Sequence, residues 1–344
     1  MDTLPRYDAL LLVSFGGPEK DEDVMPFLEN VTRGRNIPRE RLLEVAEHYY
    51  HFGGKSPIND QCRALVAAIE RELSEHGLKL PVYWGNRNWH PLLADALRQM
   101  RADGVTRALA FMTSAYSSYS GCRQYRENVK AAREAVGAGA PQVDKLRAFY
   151  NHPHYVEASA AEVRDALAQI PAERRTSAEL VFTAHSIPRS MADTSDYEKQ
   201  LRETCRLVAQ ALQIEKYRLV FQSRSGSPNQ SWLEPDILDY LRTLPERRVI
   251  DVVIAPVGFI SDHMEVLYDL DTEAKELAAE LKLNLVRAAT VGPHPVFVRM
   301  IRELVEERMN PDLAKLSIGE FGPNHDVCPL NCCAPPARPG QRPG

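Results

Sequence analysis

The segment E-L-V-F-T-A-H-S, Glu179–Ser186, carries the architecture in miniature. Its run Leu180–Thr183 is apolar and β-rich without alternation, as in a strand buried on both faces of a parallel sheet. It then breaks into a polar loop that Pro188 keeps from continuing as a ladder. A-L-A-F-M-T-S-A-Y-S (Ala108–Ser117), R-L-V-F-Q-S-R-S (Arg218–Ser225) and V-V-I-A-P-V-G-F (Val252–Phe259) have the same shape. Working outward, strands are expected at Asp8–Phe15, Pro81–Gly85, Arg107–Thr113, Leu146–Tyr150, Leu180–Thr183, Arg218–Phe221, Val249–Pro256 and Asn284–Ala288. Helical patterns fill the gaps, at Asp60–His76, Pro91–Met100, Tyr119–Ala135, His154–Ile170, Asp193–Leu212, Trp232–Leu244, Asp262–Leu283 and Pro295–Met309. In Asp60–His76 the residues Leu65, Ile69 and Leu73 recur at spacing four with charges opposite. The alternation predicts an α/β chain with parallel sheets, helices on both faces and two similar halves. Their boundary is placed near residue 150, with Asn151–His154 as a hinge, giving units 1–150, 151–322 and a Pro/Cys-rich tail 323–344. Ligands of such sheets sit outside the carboxyl ends of the strands, so the four loops are where chemistry is expected.

The 344 residues suit about two domains. With 42 Lys+Arg against 47 Asp+Glu the net charge is −5, which argues against a nucleic-acid partner. The composition, 44% hydrophobic and 26% charged, is that of a folded globular chain. No apolar run approaches the roughly 20 residues of a transmembrane segment. The start M-D-T-L-P has no signal-peptide pattern, so a cytoplasmic location is expected. In that compartment the trio Cys328, Cys332 and Cys333 suggests a metal or cluster rather than a disulfide.

Five groups of residues can carry chemistry. His185 ends its strand at a cleft edge, where a neutral imidazole can take a proton or bind a metal; it can equally be a structural histidine. In G-F-I-S-D-H-M-E-V-L-Y-D-L-D-T-E, Ser261 can cap a helix from Asp262. That helix would put Glu265, Asp269 and Glu273 on one face. Such an acidic ladder repels itself unless it is a cation path or a solvated face. Y-Y-H-F-G-G-K-S-P-I-N (Tyr49–Asn59) offers a tight turn before a helix N-terminus, and Arg33 and Arg35 offer guanidiniums for carboxylates. Tyr119, Arg123, Tyr125 and Arg126 can form an aromatic, cationic wall or the start of an amphipathic helix. Three tail thiols fall short of the four an iron–sulfur cluster needs, and Cys122, in a strand-end loop, is the best fourth. Zinc and a tail of free thiols remain as alternatives.

Taken together, L-L-L-V-S-F-G-G-P, G-G-K-S-P-I, T-A-H-S-I-P, F-Q-S-R-S-G and P-V-G-F-I-S-D-H-M-E-V-L-Y-D-L-D resemble the ferrochelatases, in order over about residues 8–322. The resemblance implies two Rossmann-like, doubly wound halves facing a central porphyrin cleft, and insertion of ferrous iron into a porphyrin. It implies His185 and Glu265 as the catalytic and Fe2+-binding pair, and Asp269 and Glu273 as an acidic relay. Ser56 and Tyr125 are implied as porphyrin contacts of the coproporphyrin III branch; Arg33, Arg35, Tyr49 and Phe15 are taken as neighbouring porphyrin contacts. A 2Fe–2S cluster on Cys122, Cys328, Cys332 and Cys333, structural or sensing, is implied by similar members. Some bacterial members carry Tyr where this chain has Phe15, which cannot ligate a product iron. His48 stands in place of the family's Arg before Tyr49, and Thr32 in place of the first of two arginines. The expected product is Fe-coproporphyrin III (coprohaem), made by a monomer in transient contact with the next haem-pathway enzyme. The competing readings are a protoporphyrin IX ferrochelatase, a porphyrin or haem carrier, an iron–sulfur regulatory module and a cobalt chelatase.

Overall fold

A computed structural model describes residues 6–34, 37–225 and 230–335. Among the described residues, eight parallel strands form two sheets of four, and the second repeats the order of the first. The first, ordered β2-β1-β3-β4, comprises β1 (Ala9–Ser14), β2 (Val82–Asn86), β3 (Arg107–Met112) and β4 (Gln142–Lys145). The second, ordered β6-β5-β7-β8, comprises β5 (Glu179–His185), β6 (Tyr217–Gln222), β7 (Asp251–Ala255) and β8 (Asn284–Arg287). Thus β5 is the counterpart of β1, and β7 of β3. Inner strands β1 and β7 are buried throughout, which is why they read as apolar runs, with only Ser14 and Asp251 polar at their ends.

The helices of the first half are α1 (Asp21–Val31), α2 (Arg39–His51), α3 (Ile58–Glu75), α4 (Leu93–Ala102) and α5 (Gln124–Val136). Those of the second are α6 (Pro153–Ala168), α7 (Arg189–Ala192), α8 (Tyr197–Ala211), α9 (Ile237–Thr243), α10 (Met264–Val266), α11 (Ala274–Glu280) and α12 (Pro295–Met309). Helix α3 buries the predicted stripe Leu65, Ile69 and Leu73, each worth about 1.5–3 kcal/mol of removed apolar surface. The H-P pairs at 152–153 and 294–295 start α6 and α12: proline suits the first turn, and the preceding imidazole accepts an N–H.

Several boundaries differ from the sequence expectation. The fourth strand is Gln142–Lys145, not Leu146–Tyr150. It is an edge strand and tolerates polar residues, whereas Leu146, Phe149 and Tyr150 are apolar because they enter the core as a loop. The chain at Asp262–Leu283 is not one α-helix. Helix α10 begins at Met264, a π-helix spans Leu267–Glu273, and α11 follows; Ser261 caps nothing. Helix α9 starts only at Ile237, where Asp236 accepts from the Leu238 N–H at 2.8 Å. Helices α1 and α2 fell outside the expected set, because Pro26 interrupts α1 and α2 buries only Leu42 and Ala46.

A second π-helix spans Tyr119–Arg123. The two π-helices occupy matching places, each following the third strand of its sheet. Such wide turns cost hydrogen-bond geometry and concentrate at functional sites. The main apolar cluster joins the halves: Phe111 and Phe149 stack at 5.2 Å, and Phe297 of α12 meets both. Helix α12 packs on α6 and returns to α3, where Arg302 pairs with Glu72 at 2.8 Å. Among the described residues no helix is long and apolar enough to cross a membrane.

Candidate active site

His185 is the last residue of β5, held at the carboxyl edge of the second sheet. Tyr197 on α8 donates to its carbonyl at 3.0 Å. Its Nδ1 lies 2.5 Å from the Ser186 carbonyl, which can only accept, so the proton sits on Nδ1. In the neutral imidazole Nε2 then keeps its lone pair, and it faces Glu265 Oε2 at 3.5 Å. Both side chains reach solvent, 33% and 50% exposed, as an incoming substrate requires.

The loop from β7 brings Glu265 to this place. Tyr116 and Tyr155 both donate to the Val257 carbonyl at 2.8 Å, fixing the loop from the first half and from α6. Gly258 then passes so close to β5 that a Cβ would meet Ala184 Cα at 2.5 Å. Only glycine allows that approach. Beyond it, the Asp262 N–H donates to Gln61 of α3 at 2.7 Å, and the Asp262 carboxylate takes Arg287 at 3.1 Å. His263 follows, with Nδ1 3.9 Å from Glu265; burial first of all holds its pKa below the ordinary value.

The acidic row survives the change of helix type. Asp269 is pushed up to about 7, chiefly by burial and then by the charges of Glu265 and Glu273. Against these, Ser223 donates to Asp269 Oδ2, and Gln222 Nε2 donates to the same oxygen at 3.2 Å. Glu273 is raised by burial and by Asp236 and Glu276. A half-protonated carboxyl within a chain of carboxylates can pass protons or cations.

The first half faces this row. Tyr49 lies within the field of Glu265, and burial pushes its hydroxyl far up. Beside it, His48 of α2 stacks on Tyr268 of the π-helix at 3.6 Å and 7°, a contact between the halves at the mouth of the site. Phe15 and Tyr125 are joined by a residue the sequence reading did not single out. Arg87, one residue past β2, lies over Tyr125 at 4.4 Å and Phe15 at 5.6 Å, and Asn128 accepts from it at 2.7 Å. A guanidinium directly after a strand end was the available signal. Ser56 is buried against Gly17, whose added Cβ would meet it at 2.7 Å. Arg33 is exposed in the turn after α1, and Arg35 lies outside the described residues.

The four thiols converge from opposite ends of the chain. Cys122 on the first π-helix is within hydrogen-bonding reach of Cys328 and Cys333, and Cys332 of the same two, closing a ring. Cys333 adopts φ 52°, and its thiol lies 3.5 Å from Cys332 Sγ. The contact with Cys122, aided by burial, pushes Cys328 up to about 12. A cation bound here would have to displace those thiol protons.

The family model described as Ferrochelatase matches residues 7–309. A ferrochelatase of Rhodopirellula baltica is 57% identical over 341 residues, covering 98% of this chain and 97% of that one. A coproporphyrin III ferrochelatase of Streptomyces griseus is 52% identical over 354 residues, covering 96% and 94%. SirB from Bacillus subtilis, solved with Fe3+, shares the fold at a TM-score of 0.55 and 12% identity, over 88% of this chain and 96% of that one. An imidazole lone pair facing a carboxylate, an acidic row behind them and a match over nearly the whole folded chain agree: this protein belongs to the ferrochelatase family.

Proposed function

We propose that this enzyme inserts ferrous iron into coproporphyrin III, giving Fe-coproporphyrin III and releasing two protons, with His185 and Glu265 at the point of transfer. The observation that carries the assignment is the 3.5 Å gap between His185 Nε2 and Glu265 Oε2. At bond lengths of about 2.1 Å, usual for N and O donors to divalent first-row ions, that gap subtends about 110° at a shared ion. One nitrogen and one oxygen suit ferrous iron without the grip of thiolates, so the ion can be passed on. As iron enters the ring, two pyrrole protons must leave. The free Nε2 lone pair of His185 accepts one, and Asp269, poised near neutrality, is placed to accept from the row. Holding the macrocycle bent would expose its nitrogens, with strain of about 1–5 kcal/mol drawn from contacts elsewhere. Tyr49, Phe15, Tyr125 and Arg87 supply an aromatic and cationic wall, with Ser56, Arg33 and Arg35 as further porphyrin contacts. Coproporphyrin is favoured over protoporphyrin because relatives near 52% identity carry that substrate in their names.

The same proposal takes residues 1–150 and 151–322 as the two porphyrin-facing halves and 323–344 as a tail. It has the enzyme act in the cytoplasm as a monomer and pass product to the next haem-pathway enzyme. The ring of Cys122, Cys328, Cys332 and Cys333 fits a 2Fe–2S cluster in donor number and type. Such a group supplies one-electron redox chemistry when bound. Here its ligands would tie the tail to the first π-helix, a structural or sensing role.

The test is anaerobic iron insertion with each porphyrin in parallel. Coproporphyrin III should be the better substrate. His185→Ala should abolish insertion while porphyrin binding, followed by fluorescence, persists, and Glu265→Gln should slow it severely. Near-normal turnover by His185→Ala removes the assignment, and a preference for protoporphyrin IX moves the enzyme to the other branch. Iron and acid-labile sulfide in anaerobically isolated protein test the cluster; their absence ends that part.

A further inference from the structure

The segment that carries the site is anchored from behind by one cation. Arg287 is the last residue of β8, the edge strand of the second sheet. Its guanidinium bridges two carboxylates. Nη1 donates to Asp262 Oδ1 at 3.1 Å; Nε donates to Asp271 Oδ2 at 2.9 Å, with Nη2 2.8 Å from the same oxygen. The three side chains are mostly buried, and the Thr290 hydroxyl donates to Asp262 Oδ1 at 3.3 Å.

The two aspartates bracket the functional stretch. Asp262 precedes His263 and Glu265, and Asp271 lies inside the π-helix between Asp269 and Glu273. Asp271 is held toward β8, whereas Asp269 is held toward the end of β6 by Gln222 and Ser223. The poorer hydrogen bonds of a wide turn need such compensation from neighbours. Among the described residues no cationic side chain besides His185 and His263 reaches the Glu265 carboxylate, so its backbone anchors decide where it lies. One of those anchors also spans the halves, since the Asp262 N–H donates to Gln61 of α3 at 2.7 Å. The first sheet has an echo of this arrangement. Lys145 ends β4, the counterpart of β8, and its charge acts on Cys122 of the first π-helix.

We propose that Arg287 is a positioning residue for iron insertion. By gripping Asp262 and Asp271 together, it holds Glu265 opposite His185 and keeps the π-turn that sets Asp269 in the row. A guanidinium fork can serve two carboxylates at once; the point charge of lysine serves one well. Arg287 acts through these partners and touches neither iron nor porphyrin. The inference rests on the reading of His185 and Glu265 as the point of transfer.

The test is anaerobic insertion kinetics with Arg287→Lys, Asp271→Asn and Arg287→Ala, run beside His185→Ala and a porphyrin fluorescence titration of each. In Arg287→Lys and Asp271→Asn, kcat should fall at least about tenfold while the porphyrin Kd stays that of the parent. Millimolar guanidinium, far below unfolding concentrations, should restore part of the Arg287→Ala rate and none of the His185→Ala rate. Arg287→Ala strands two largely buried carboxylates. Where it does not fold, Asp271→Asn carries the test, because it keeps the size of the side chain and removes only its charge. Folded Arg287→Lys and Asp271→Asn proteins that turn over at the parent rate, with His185→Ala inactive, overturn this inference alone. Near-normal turnover by His185→Ala removes the underlying reading and this inference with it.

Discussion

Replacing Asp269 with asparagine should make the protein more stable above about pH 4, by a margin that grows up to about pH 7 and is constant beyond it. The carboxyl is raised from 3.8 to about 7, so the folded state keeps a proton that the unfolded chain releases. Stability is therefore full below about pH 4, falls as pH rises through 7, and levels off above. A shift of about three units at about 1.4 kcal/mol each puts the total near 4 kcal/mol, an upper value because water reaches part of the site. Asparagine can keep the local bonds, since Ser223 and Gln222 both donate to Oδ2 and an amide oxygen there accepts both. Urea unfolding at steps from pH 5 to pH 9, in chelator-treated buffer, reads the effect as a shift of midpoint at constant slope. The variant should already exceed the parent at pH 5, its margin should grow to about pH 7, and it should lie a few kcal/mol above the parent beyond pH 8. Its insertion rate should fall if the row carries protons. Parallel pH profiles for the two proteins would refute the buried, proton-holding carboxyl.

Arg87→Ala should weaken porphyrin binding about tenfold, because two cation–π contacts of about 0.5–2 kcal/mol each organise Phe15 and Tyr125. Fluorescence titration checks this, and Arg87→Lys should recover part of the loss. Arg147 and Glu307 form an ion pair 0% and 4% exposed, with Nε 2.5 Å from Oε1, between the segment after β4 and α12. Arg147→Met alone should cost about 3–5 kcal/mol by stranding a buried carboxylate, and adding Glu307→Leu should return most of it. A double variant no better than the single one, in chemical denaturation, would contradict that account.

The β-α alternation and the inner strands were legible from the chain because a strand buried on both faces holds mostly apolar residues. Edge strand β4 escaped for the converse reason: its Q-V-D-K reads as a loop, and the apolar L-R-A-F-Y beside it belongs to the core without being a strand. His185 was legible as a polar residue ending an apolar strand. The row Glu265, Asp269 and Glu273 was legible as a spacing, although not as a π-helix. Its hydrogen bonds close five residues back, a choice that neighbours and not local propensity make.

Tertiary structure alone decided which residues meet. The His185–Glu265 gap is set by contacts far apart in the chain: Tyr116 and Tyr155 on Val257, Gly258 against Ala184, Gln61 on Asp262. Arg87 acquired its place only when β2 and α5 came together, and Arg287 its two carboxylates only when β8 came beside the second π-helix. Periodicity and chemistry are local and survive in a string of letters. A distance between side chains seventy or two hundred positions apart depends on how whole sheets and helices pack, and no single segment encodes it.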